Sequence, residues 1–138
     1  MSPIVIQLEK AQSLAMANRP KVGGFPFLAE VLRQAGVRLN RWFLPSCQSI
    51  YVFKDGTVIQ QGKPLVMGTV EVPKFNLDSL ISAIRADQEG LSSFKEFLQS
   101  SWNAGVISYD VDFVNRKVSY YGTNSECYIE EYPPAEIN

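Results

Sequence analysis

The sequence predicts an α+β fold, an antiparallel β-sheet carrying two helix pairs in the order ααβββ followed by ααβββ. Three observations predict it. Four blocks repeat apolar residues at helical spacing and close on Gly or Pro. Between and after them, short β-rich runs are separated by turn residues. The two glycine stops Gly36 and Gly105 stand half a chain apart. At 138 residues, 46% hydrophobic, the chain suits a single domain spanning 1–138, with pseudo-repeats 1–69 and 70–138.

The first helix runs from Ile4 to Asn18, with Ile4, Leu8, Ala11 and Ala15 on one face and Arg19-Pro20 ending it. Gly23-Gly24 leads into a second helix, "FPFLAEVLRQAG", where Pro26 suits the first turn and Gly36 the stop. "LNRWFL" and "SIYVF" then form strands across Pro45-Ser46-Cys47-Gln48, and Asp55-Gly56 turns the chain into "TVIQQG". Asn76 caps a third helix bearing Leu77, Leu80, Ile81 and Ile84, which Gly90 stops. Ser93 and Glu96 make a capping box for "FKEFLQSSWNAG". The chain closes with Val106 to Val114, a two-residue turn at Asn115-Arg116, Lys117 to Gly122, and the strand "CYIEEY". At the 69-residue offset Phe25 matches Phe94, Ala35 Ala104, Val37 Val106 and Tyr51 Tyr120, which points to an internal duplication.

Composition excludes several chemistries. There is no histidine, so Ser-His-Asp and Cys-His nucleophile systems and histidine-bearing zinc sites are ruled out. No GxGxxG or GxxxxGK[ST] cradle is present. The 13 basic and 14 acidic side chains nearly cancel, which argues against nucleic acid as a partner. No run approaches a membrane span, and the N-terminus lacks the pattern of a signal peptide. A cytoplasmic protein without a cofactor is expected, and there Cys47 and Cys127 would stay reduced.

The strings "RPKVGGFPFLAEVLRQAG", "WFLPSCQSIY", "QGKPLV", "DSLISAIRADQEG", "FLQSSWNAGVISYDVDF" and "RKVSYYGTNSECYIEEYP" carry a family resemblance over nearly the whole chain. The sequence resembles a bacterial domain-of-unknown-function family whose members are often labelled "phage envelope protein". The resemblance implies no activity, cofactor or ligand.

Three constellations are candidates for function. Arg19, Lys21, Gly23 and Gly24 precede a helix N-terminus that could hold an anion, although a Gly-Gly entry loop is the simpler reading. Cys47, beside Gln48 at a strand corner, has no histidine to activate it and reads as a small buried residue. The third is the hairpin "YDVDFVNRKVSYYG". Its alternation places Tyr109, Val111, Phe113, Val118 and Tyr120 in the core, and Asp110, Asp112, Lys117, Ser119 and Tyr121 on the other face. Asp110 and Asp112 would stand about 6.6 Å apart along one strand. With Glu126 or Glu130 they could gather a cation, but two guaranteed oxygens fall short of a site, and no metal or catalytic residue is assigned.

Joined by Tyr128, this face has the tyrosine-with-charge composition of a recognition patch. The expected function is a non-enzymatic binding or regulatory module for a protein or small polar ligand. The alternative is a small hydrolase or metal-assisted enzyme working through Asp110 and Asp112. A homodimer formed by self-pairing of the sheet is a third reading.

Overall fold

The computed structural model describes residues 2–68 and 71–137. Its elements are α1 (Pro3–Asn18), α2 (Gly24–Gln34), β1 (Val37–Phe43), β2 (Gln48–Phe53), β3 (Gly56–Gln61), α3 (Leu77–Gln88), α4 (Phe94–Asn103), β4 (Ser108–Asp112), β5 (Lys117–Tyr121) and β6 (Cys127–Glu131). The six strands form one sheet in the order β3-β2-β1-β4-β5-β6, antiparallel throughout. The α+β class is as the sequence predicts.

Local chemistry accounts for the helix limits. Asn76 accepts from the Ser79 N–H at 3.0 Å, and Ser93 with Glu96 closes both bonds of the capping box. Gly36 and Gly105 end α2 and α4 with φ of +102° and +91°, values that glycine adopts without strain. The helices pair, α1 with α2 and α3 with α4. Leu8, Ala11 and Ala15 of α1, Leu80 and Ile84 of α3, and Phe97, Leu98 and Trp102 of α4 bury their faces in the same core as Tyr51, Phe53, Val111 and Val118 of the sheet. The Trp102 indole donates to the Gly68 carbonyl at 3.2 Å, which satisfies its one polar atom inside the core.

The β4–β5 hairpin differs from the expected two-residue turn at Asn115-Arg116. Asp112 faces Lys117, Val111 faces Val118, Asp110 faces Ser119 and Tyr109 faces Tyr120, so the turn has four residues, Phe113 to Arg116. Two forces set it. The Phe113 N–H leaves the hairpin to donate to the Arg38 carbonyl at 3.1 Å, while the Asp112 carboxylate accepts from the Val114 and Asn115 N–H groups, each at 3.0 Å. Arg116 then closes the turn at φ +54°. The slip is two residues, so every side chain keeps the face its alternation assigned.

The first half repeats this device. Cys47 also has φ +54°, and the Leu44 N–H donates to the Ile107 carbonyl at 3.0 Å. At the centre of the sheet Arg41 faces Asp110, 69 residues away, and every other β1–β4 pair is carried onto another by the same offset.

Candidate ligand-binding cavity

Helices cover one face of the sheet, and the residues singled out in the sequence divide between that face and the open one. On the open face the two acids are already engaged. Arg41 grips Asp110 with a bidentate pair, Nε to Oδ1 at 2.7 Å and Nη2 to Oδ2 at 2.8 Å. Asp112 is a turn cap that also accepts from the Asn115 side chain at 2.8 Å. Partial burial works against its charge, but the hydrogen bonds from Asn115 and Val114 together outweigh it and hold the carboxyl below the usual range. Lys117, Ser119 and Tyr121 follow on the same face by register.

Tyr128 does not join them. It pairs with Tyr120, and its ring stacks on that ring at 6.3 Å on the helix-covered side. The cause is register, since β6 turns Cys127, Ile129 and Glu131 outward and Tyr128 and Glu130 inward. Glu130 therefore cannot assist Asp110 and Asp112. It is held on the other side by Arg85 (2.5 Å), Gln88 (3.0 Å) and the Tyr128 hydroxyl (2.7 Å). Glu126 is likewise engaged, accepting from the Asn124 N–H at 2.7 Å.

Cys47 is a free, buried thiol whose acidity burial lowers. Cys127 is free and exposed. Gln48 begins β2 and meets Gln61 across the strands.

Arg19, Lys21, Gly23 and Gly24 arrive at the mouth of a cavity of about 960 Å³ between the helix layer and the sheet. Its floor is a row of aromatic rings set by register, with Trp42, Tyr109 and Tyr120 directly opposite one another on β1, β4 and β5, and Tyr128 of β6 continues the row outside the lining. Ring centroids are 6.4 Å apart for Trp42 and Tyr109, and 5.8 Å for Tyr109 and Tyr120. Phe94 and Phe97 of α4 close on this row edge-on, at 5.2 Å from Trp42 and 6.4 Å from Tyr109.

Few polar groups interrupt the apolar lining. Asn40 is buried beside the row and donates to the Ile50 carbonyl at 3.1 Å. Gln12 and Gln60 bond reciprocally at 2.8 and 3.0 Å on the β3 side. Asp87, near the C-terminus of α3, is partly buried in the wall. Desolvation raises its pKa, and the more distant Arg19 opposes that shift. Tyr109 and Tyr120 are 6% exposed, and burial raises the pKa of both hydroxyls.

Tyr109 and Tyr120 lie in the apolar set that alternation predicts, but the cavity above them is not legible in that pattern, nor are Trp42, Asn40 and Asp87 as parts of its lining. Trp42 and Asn40 stand two apart in "LNRWFL", so alternation alone puts both on the same face. Asp87 carried no such signal.

Fold and cavity together define a two-layer α+β protein with a helix-covered, aromatic-floored chamber. The chain belongs to the family described as "Protein of unknown function (DUF1398)", whose model matches residues 14–131. It is 48% identical over 136 residues to Uncharacterized protein Rv2012 of Mycobacterium tuberculosis and to Uncharacterized protein Mb2035 of Mycobacterium bovis. Those matches cover 99% of this chain and 83% of each relative. Neither the family's description nor the relatives' names refer to a phage envelope.

Proposed function

We propose that this protein is a non-enzymatic binding module whose ligand is a small amphipathic molecule held between the helices and the sheet. The cavity carries the proposal. Its volume falls in the range of small-molecule sites, and its composition, aromatic walls with a few convergent polar groups, is the usual one. The open-face patch of Asp110, Asp112, Lys117, Ser119 and Tyr121 offers no comparable concavity. A hydrolase working through Asp110 and Asp112 would need carboxylates free to hold a metal or a water, and Arg41 and the Val114-Asn115 turn occupy them.

No helix among the described residues is long and apolar enough to cross a membrane. The binding role proposed here is a cytoplasmic one. The matched turns and central register are what descent from a duplicated ααβββ unit would leave, and that origin is part of the same proposal.

The test is titration with the neutral dye N-phenyl-1-naphthylamine. One saturable site is expected, with stabilisation of about 2.7 kcal/mol when free dye reaches 100 times its Kd. Trp42→Ala should weaken binding roughly tenfold while the variant still melts cooperatively. Unsaturable binding, or a Trp42→Ala protein that binds as well as the parent, would remove the proposal.

A further inference from the structure

The charged groups that line the chamber are unevenly placed, and that placement limits what it can hold. Asp87 contributes a carboxylate to the wall, and among the described residues no cation stands within ion-pair distance of it. The charges that bear on the floor are mainly acidic. Asp87 acts on both Tyr109 and Tyr120, Glu130 also acts on Tyr120, and Arg85 opposes them there.

The remaining charged residues at the chamber's edge are Arg19, Lys21 and Glu131. Arg19 and Lys21 belong to the connection between α1 and α2, at the mouth. The Arg19 stem lies across Gly24, and Lys21 lies exposed against Gly90 on the opposite helix pair. Glu131 projects from the outward-facing set of β6.

A carboxylate beside a row of aromatic rings is the chemistry that recognises organic cations. Aromatic rings attract positive charge through their quadrupoles, and the partly buried Asp87 carboxylate supplies a counter-ion. An organic anion would meet that carboxylate with the wrong sign. The two buried tyrosine hydroxyls add donors or acceptors for a polar substituent.

Resting on the binding reading above, we propose that the chamber takes organic cations carrying aromatic bulk, with Asp87 as counter-ion and Trp42, Tyr109 and Tyr120 as the cation-facing floor. The charged centre sits between Asp87 and the tyrosines, and the apolar body fills the space under Phe94 and Phe97.

The probes are tetraphenylphosphonium and tetraphenylborate, which share a shape and differ in charge, titrated by calorimetry into the full chain. The phosphonium should bind one site at least ~10 times more tightly than the borate and displace N-phenyl-1-naphthylamine. Asp87→Asn should reduce that preference by about tenfold, and Asp87→Glu should retain most of it. Equal or tighter binding of the borate, or a preference unchanged in Asp87→Asn, overturns the cation assignment while the neutral dye still reports a working cavity. Failure of all three molecules to bind overturns both the assignment and the binding reading beneath it.

Discussion

Asp110 and Asp112 are two residues apart and chemically identical, yet they do different work. Asp110 sits on the axis that relates the two central strands, where Arg41 faces it and takes both oxygens. Arg41 remains about half exposed, at 46%, so solvent screens the pair. A double-mutant cycle with Arg41→Ala and Asp110→Ala should give a coupling energy of about 0.2–1 kcal/mol in urea unfolding. Asp112 serves the backbone instead. Asp112→Ala leaves the Val114 and Asn115 N–H groups without their acceptor and should cost roughly 1 kcal/mol. Because the folded state holds the Asp112 carboxyl below its ordinary value, this contribution is present above about pH 4 and is lost as pH falls through the folded pKa. The cost of Asp112→Ala should therefore shrink in acid, and a cost independent of pH would contradict the capping role.

At the scale of elements, the glycines that bound helices are not equivalent. Gly105 follows α4 at φ +91°, and a Cβ there would stand 2.5 Å from the Phe75 Cα. Backbone cannot give way as a flexible side chain would, and this approach brings the Asn76 N–H to the Ala104 carbonyl at 2.8 Å. Gly23, at φ +72°, has open space around the same position. Gly23→Ala should cost about 1 kcal/mol, from the left-handed conformation alone. Gly105→Ala carries the clash as well and should exceed about 3 kcal/mol in chemical denaturation. Equal costs would mean that the contact with Phe75 is not a constraint. Element limits were largely legible in the sequence, because caps and stops are local chemistry. The turn at Phe113 to Arg116 was not, since its length depends on Arg38, a strand away and distant in sequence, capturing the Phe113 N–H.

Across the whole molecule, the chamber sets a cost against its use. Desolvation by the wall raises the Asp87 pKa, so the ionised group is destabilising in the folded protein. The folded state binds its proton more tightly than the unfolded chain does, and stability falls as pH rises past the unfolded value, near 4. Asp87→Asn should accordingly raise Tm at pH 7 by about 1–3 °C, and the gain should vanish below about pH 4. No gain at neutral pH would show that Asp87 is well solvated. A protein made more stable by removing a carboxylate is consistent with that group being kept for binding.

The sequence by itself determined the class of fold, the order of the elements and the face each residue of the β4–β5 hairpin occupies. Periodicity, capping and alternation act over a few residues, and strand parity survives even a two-residue slip of register. Only the tertiary structure decided which strands are neighbours, and so which side chains meet. It set Arg41 against Asp110, and turned Tyr128 away from the open face. It also left a void above Trp42, Tyr109 and Tyr120, since an apolar face reads alike in sequence whether a helix or an open space lies over it.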